Sequence, residues 1–250
     1  MAQPANGAQQ VIAVILCAGQ GTRMGAAQNK VFLPLAGKPL LLHTIEAFQR
    51  ARSVNGIVLV AHPREVDYCR DEIVARYHLD HLANVLAVVA GGATRHQSEE
   101  CALSYLRPRI EGGEVGIVLF HDGARPFVTP DEIERLIQAA RESGGALLGT
   151  RVETHEVIAR LGADGAVSDI LPSGDLWRAQ TPQAFAALTL LEAYDLARGD
   201  GFEGTDTASS YERLGHAVRM VEGSRDNIKV TTPDDLLRGE AILRQRQRDQ

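Results

Sequence analysis

The chain has 250 residues, a formal charge of −6, 44% hydrophobic and 23% charged residues, ordinary proportions for a globular protein with a sizeable core. The acidic balance excludes a global basic field of the kind that gathers DNA or RNA. Cys17, Cys69 and Cys101 fit neither a zinc spacing nor a disulfide framework, so a reducing cytoplasm is expected, and no stretch reaches the roughly 18 apolar residues of a membrane helix.

Met1 to Gln10 lacks a cationic start and an apolar core, which predicts a disordered tail rather than a signal peptide. The continuous apolar run Val11 to Leu16 then reads as a strand buried on both faces, the mark of a parallel sheet between helices. Immediately after it come Gly19, Gly21, Arg23, Gly25 and Lys30. A glycine-rich turn leaving a buried strand exposes N–H groups that can wrap a phosphate, and the two cations add charge there. Two familiar phosphate motifs fail by counting. No Gly-x4-Gly-Lys-Ser/Thr string exists, and Met24 stands where a dinucleotide fingerprint needs its last glycine.

Further along, Leu40 to Ala51, Glu65 to Tyr77 and Thr94 to Leu106 carry apolar residues at helical spacing. They alternate with β-rich runs at Ile57 to Ala61, Val85 to Ala90 and Val115 to Phe120. This β-α-β rhythm predicts a mostly parallel, doubly wound α/β sheet. Thr94 with Gln97, and Thr129 with Glu132, read as capping boxes; Pro130 suits a first helical position. After about Thr150 the rhythm breaks. Val152 to Leu161 and Ala166 to Leu171 flank Gly162-Ala163-Asp164-Gly165, which predicts a protruding β-hairpin arm over about residues 151–173. A helical pattern follows at Pro182 to Ala197, then a polar helix around Thr207 to Leu214. Short strands are expected at Ala217 to Val221 and Asn227 to Val230, and a last helix at Leu236 to Arg244, opened by Thr232-Pro233-Asp234-Asp235. One domain over residues 11–246 is expected.

Four strings stand in order along the chain: Ala18-Gly19-Gln20-Gly21-Thr22-Arg23-Met24, His121-Asp122-Gly123-Ala124-Arg125-Pro126, Gln180-Thr181-Pro182-Gln183 and Asn227-Ile228-Lys229-Val230-Thr231. Together they resemble the 2-C-methyl-D-erythritol 4-phosphate cytidylyltransferase family, over about Val11 to Leu243. The resemblance implies a Rossmann-like nucleotidyltransferase fold. It also implies transfer of CMP from CTP to a polyol phosphate in non-mevalonate isoprenoid synthesis, with Mg²⁺ and a homodimer formed through the arm. Carried over residue by residue, it gives catalytic roles to Arg23, Lys30 and Lys229. CTP binding falls to Ala18, Gly19, Gly21, Gly92, Arg95 and Ser98. The acceptor side takes Asp122, Arg125, Thr154 and Thr181, and Asp122 is the candidate metal ligand. The chemistry agrees: anion must approach anion, so cations and positioning are needed and no covalent nucleophile. Since a phosphate monoester already carries a negative oxygen, His121 and His155 are read as positional.

The departures from the family pattern sit on the acceptor side. Asn29-Lys30-Val31 replaces the usual Pro-Lys-Gln. Thr154 survives at the base of the arm, but Glu156 stands where a lysine is usual, and Ser173 where an arginine is. Thr207 replaces an acidic residue in Thr205-Asp206-Thr207-Ala208-Ser209. Arg151 or Arg178 could restore the missing positive charge. The alternatives are another acceptor, such as ribitol 5-phosphate, or a nucleotide-binding module without catalysis.

Overall fold

The computed structural model describes residues 9–19, 29–82, 84–153 and 155–248. In chain order its elements are β1 (Gln10–Cys17), β2 (Pro34–Leu35), β3 (Lys38–Pro39), α1 (Leu40–Arg50), β4 (Gly56–Ala61), α2 (Val66–Tyr68), α3 (Leu79–Leu82), β5 (Val85–Ala90), α4 (Arg95–Glu111), β6 (Val115–Asp122), α5 (Pro130–Ser143), β7 (Gly145–Arg151), β8 (Ile158–Leu161), β9 (Val167–Leu171), β10 (Trp177–Ala186), α6 (Ala187–Asp200), α7 (Thr207–Arg213), β11 (Arg219–Glu222) and α8 (Pro233–Arg248). Among these, no helix is long and apolar enough to cross a membrane.

Seven strands form the central sheet in the order β11-β7-β10-β6-β1-β4-β5. All neighbours pair in parallel except β10, which runs antiparallel to both β6 and β7. The fold is thus the expected mostly parallel α/β sheet. The apolar run of β1 shows why both faces are covered. Val11, Ala13 and Ile15 pack with α1 and α5 through Leu41, Ile45, Phe48, Ile133 and Leu136. Ile12 and Val14 pack with α4 and α6 through Leu103, Leu106, Leu190 and Leu191. Successive side chains point to opposite faces, so a strand between two helical layers must be apolar throughout. Each fully buried Val or Ile contributes roughly 1.5–3 kcal/mol.

Local signals set several helix ends. Thr129 and Glu132 form the reciprocal capping box that opens α5, and Gly144 closes that helix at φ 82°, a left-handed position that favours glycine. Thr232 and Asp235 exchange backbone-to-side-chain bonds at the start of α8. At α4 the box is half made: Thr94 accepts from the Gln97 N–H, whereas the Gln97 side chain accepts from Ala93.

Other expectations need correction. Gln10 belongs to β1, so the tail expected to residue 10 ends sooner; residues 1–8 lie outside the described residues. The stretch read as a helix from Glu65 to Tyr77 starts with one turn of α2 and continues as π-helix over Cys69–Ala75. Pro182 to Ala186, expected in a helix, completes β10, and α6 starts only at Ala187. Inserting this segment between β6 and β7 satisfies two ladders, and Pro182 falls within the register break between Ala179 and Gln183, where no ladder donor is needed. β7 had no predicted counterpart. Asn227 to Val230 is a loop, held by Val230 N–H donating to the Ala124 carbonyl at 2.8 Å. The arm is present as the β8–β9 hairpin with Ile158 opposite Leu171; Arg151, taken as its first residue, ends β7.

A buried polar chain ties the ends of β6 and β10 together. The Asp122 N–H donates to Thr181 Oγ1 at 3.0 Å, and Thr181 Oγ1 lies 3.2 Å from His121 Nδ1. His121 Nε2 lies 3.0 Å from the Arg125 carbonyl. These partners assign the proton to Nε2, with the Thr181 hydroxyl donating to Nδ1. Burial pushes His121 down from 6.5 to about 4, so the ring is neutral in the fold. The unfolded chain therefore binds the proton first as pH falls. Stability should drop between pH 6.5 and about 4, by roughly 3 kcal/mol over the full window. Denaturant melts of wild type and His121→Gln across that window check this: the variant should show a shallower pH dependence, and parallel curves would remove His121 from it.

Candidate active site

The sheet register gathers one edge. Cys17 of β1 pairs with Ala61 of β4, Leu16 with Asp122 of β6, and Ala61 with Ala90 of β5. The carboxyl ends of four parallel strands therefore stand side by side. Since β4 and β6 flank β1, this edge is a topological switch point, where open α/β sheets bind ligands. A cavity of about 480 Å³ opens there, within the usual range for a small-molecule site.

The residues after each strand make its walls: Ala18 and Gly19 after β1, His62 after β4, Gly92 to Arg95 after β5, Asp122 ending β6. Lys30 enters from the 3₁₀ turn Lys30–Phe32 and Lys229 from the loop before α8. Of the residues singled out from sequence, the cavity brings together Ala18, Gly19, Lys30, Gly92, Arg95, Ser98, Asp122 and Lys229. Arg125 and Thr181 stand behind it, bonded to Asp122. Gly21, Arg23 and Thr154 lie outside the described residues.

Asp122 organises the charge. Its carboxylate, on a residue only 8% exposed, lies 2.9 Å from Lys229 Nζ, 3.4 Å from Arg125 Nε and 3.6 Å from Arg95 Nε. Burial alone would raise its pKa. Lys229, Arg95 and Arg125 outweigh burial and hold the carboxyl well below the usual range, so it is ionised at neutral pH. Arg125 also donates from Nη1 to the Asn227 carbonyl at 2.9 Å, which fixes the loop carrying Lys229. Asn227 reciprocates through Nδ2, which donates to the Thr181 carbonyl at 2.9 Å.

The turn after β5 is built by close approach. A Cβ on Gly91 would lie 2.8 Å from Ser98 Oγ and 3.0 Å from Ala18 Cβ, and one on Gly92 would lie 2.4 Å from Gln97 Cβ. Ser98 Oγ accepts from the Gly92 N–H at 3.2 Å and donates to the Thr94 carbonyl at 2.8 Å. It shapes the turn while lining the cavity.

Asn29, His62 and Thr231 also belong to the walls and were not singled out from sequence. Asn29 is buried; its Nδ2 donates to the Cys17 carbonyl at 2.8 Å and to Glu65 at 2.9 Å, anchoring the loop just before Lys30. The signal for His62 was its position after β4, equivalent to Ala18 after β1. The departures in the arm resolve locally. Glu156 pairs with Arg178, and the Arg151 guanidinium lies 4.9 Å over the Trp177 ring, a cation–π arrangement.

Known proteins share this organisation. The family model IspD, 2-C-methyl-D-erythritol 4-phosphate cytidylyltransferase, matches residues 11–245. A 2-C-methyl-D-erythritol 4-phosphate cytidylyltransferase of Geobacter metallireducens is 41% identical over 239 residues, covering 94% of this chain and 98% of its own. A bifunctional enzyme IspD/IspF of Desulforudis audaxviator is 43% identical over 232 residues; the match covers 93% of this chain and 56% of that longer protein. Among solved structures, the 4-diphosphocytidyl-2C-methyl-D-erythritol synthase of Anaerococcus prevotii superposes with a TM-score of 0.79 at 26% identity, covering 94% of this chain and 96% of its own. With its whole central sheet, its switch-point cavity and these matches in accord, the chain belongs to the 2-C-methyl-D-erythritol 4-phosphate cytidylyltransferase family.

Proposed function

We propose that this chain transfers the cytidylyl group of CTP to 2-C-methyl-D-erythritol 4-phosphate with release of pyrophosphate, in non-mevalonate isoprenoid precursor synthesis, as a cytoplasmic homodimer of one nucleotidyltransferase domain. The observation that carries the reading is the cavity wall on which Lys30, Arg95 and Lys229 stand around the ionised Asp122. In the reaction an acceptor phosphate oxygen attacks the α-phosphorus of CTP. The bond from that phosphorus to the bridging oxygen breaks, and its electron pair leaves with pyrophosphate. Positioning and charge neutralisation do the catalysis, and the neutral, buried His121 suits a step that needs no base.

Lys30, Lys229 and Arg23 take the triphosphate and the charge developing on it, and Arg95 holds the triphosphate from the start of α4. Ala18, Gly19, Gly21, Gly92 and Ser98 shape the nucleoside pocket. Asp122 and Thr154 face the acceptor, with Arg125 and Thr181 acting there through Asp122. Although Asp122 binds Lys229 and Arg95 before any ligand arrives, each cation keeps further N–H donors for phosphate oxygens. Magnesium fits the donor set. The described residues gather no cluster of three metal-ligating side chains. Among the described residues lining the cavity the carboxylate is Asp122, and Mg²⁺ ordinarily combines one or two carboxylates with substrate phosphates. When bound it would neutralise negative charge on the leaving pyrophosphate.

On the acceptor side, Arg178 is paired with Glu156. That favours Arg151, over Trp177, as the replacement cation for the acceptor phosphate. The arm exposes Val157 (73%), Leu161 (60%), Val167 (60%) and Ile170 (54%), an apolar surface suited to a second copy of the chain. The family match does not favour ribitol 5-phosphate or a non-catalytic module.

Four experiments test this. Pyrophosphate release from CTP and Mg²⁺ should proceed with methylerythritol phosphate and much more slowly with ribitol 5-phosphate; comparable turnover of both would overturn the acceptor assignment. In the same assay Arg151→Ala should raise the acceptor KM about tenfold and leave the CTP KM unchanged. By analogy with loss of one oxyanion donor, Lys30→Ala should lower kcat by ~10²–10³, about 3 kcal/mol, with an unchanged circular dichroism spectrum; a near-normal kcat would remove Lys30 from the mechanism. Deleting Glu153 to Ser173, whose flanks are already joined by Val152 N–H donating to the Leu176 carbonyl, should convert the dimer to a monomer by light scattering. An unchanged dimer would refute the role of the arm.

A further inference from the structure

Beneath the cavity wall, a second carboxylate lies on the far side of Arg95. Glu99 is 1% exposed, and every polar contact it makes is with a donor. Arg95 Nη1 donates to Oε1 at 2.7 Å, Thr207 Oγ1 donates to the same oxygen, and Tyr194 OH donates to Oε2 at 2.6 Å. The donors come from three elements: α4, α7 and α6. Thr207 Oγ1 also accepts from Arg95 Nη1 at 3.4 Å. The guanidinium is therefore clamped between two anions, Glu99 in the interior and Asp122 at the cavity.

Burial pushes the Arg95 pKa down, and Glu99 and Asp122 outweigh that and raise it. A half-buried arginine without such a partner would be costly to hold at a cavity wall. The neighbouring Glu100 makes the contrast: it pairs with Arg198 on the surface at 3.2 Å and takes no part in this cluster. Thr207 is also the position where the string Thr205-Asp206-Thr207 lacks its acidic residue; here the buried carboxylate beside Arg95 stands on α4.

We propose that Glu99 is a positioning residue for the nucleotide half-reaction: held by Thr207 and Tyr194, it fixes the Arg95 guanidinium at the cavity wall and thereby sets the affinity for the triphosphate of CTP. This rests on the reading of the cavity as the CTP site, so CTP binding by the wild-type protein, measured by calorimetry without acceptor, tests that reading first. Against that baseline, Glu99→Gln keeps the volume and removes the charge. It should raise the CTP KM and calorimetric Kd at least tenfold, while the acceptor KM changes by less than about threefold.

Glu99→Gln/Thr207→Glu moves the carboxylate to the first position of α7, beside the same Arg95 Nη1 that Thr207 already touches, where a negative charge is favourable. It should recover CTP affinity to within about threefold of wild type. A lower melting temperature with unchanged CTP affinity in Glu99→Gln would show a merely structural role and overturn the proposal, as would failure of the double variant to recover affinity. Should Glu99→Gln not fold, Tyr194→Phe removes one donor and keeps the charge. A loss of CTP affinity of threefold or more then supports the positioning role, and unchanged affinity overturns it.

Discussion

The site depends on a single carboxylate kept ionised where four parallel strands end. Lys229, Arg125 and Arg95 converge on Asp122 from three separate parts of the chain, and without an anion between them their mutual repulsion would drive them apart. Each cation lies within 3.6 Å of the carboxylate, where an effective dielectric of 20 gives roughly 4 kcal/mol of attraction per pair, less for the more exposed Lys229. The carboxylate therefore assembles the cationic wall before any polyphosphate arrives. Its own backbone is fixed in turn by Thr181 and, through Thr181, by the neutral His121. A titrating group there would disturb the charge balance, and burial removes that risk by holding His121 neutral down to about pH 4.

This arrangement explains how the later motifs work. Within Gln180-Thr181-Pro182-Gln183 and Asn227-Ile228-Lys229, the sequence reading gives substrate roles to Thr181 and Lys229. In the fold, their amide side chains bind the protein itself: Asn227 donates to the Thr181 carbonyl, Gln180 to the Ser224 carbonyl, Gln183 to Asp206. They bring a loop from beyond the sheet to its edge, so that Lys229, followed by Thr231, reaches the cavity. Precision at Lys229 comes from this hydrogen-bonded support and from Val230 in the small core of Leu35, Leu40, Phe127 and Ile242.

Charge changes along the chain are answered by near neighbours. Glu156 meets Arg178 at the base of the arm, and Glu99 meets Arg95 beside Thr207. Asn29 has the side chain to anchor the loop before Lys30 through two donated bonds. In each case the local electrostatic requirement is met by a different residue, and the backbone around it keeps its course.

The amino-acid sequence by itself determined the strands β1, β4, β5 and β6 and the helices α1, α4 and α5, because continuous apolar runs, helical spacing and capping residues act over a few residues. It also picked out Ala18, Gly19, Lys30, Gly92, Arg95, Ser98 and Asp122, which the fold gathers at one cavity because they stand at the ends of those strands, in the loops after them or at the start of α4. Tertiary structure decided the rest. Pro182 to Ala197 is locally a helical pattern, and only the gap between β6 and β7 makes its first residues a strand. Glu99 looks like any polar helix residue beside Glu100; packing of α6 and α7 against α4 buries one and leaves the other at the surface. Such choices turn on contacts between residues a hundred positions apart, such as Glu99 with Thr207, which no local pattern records.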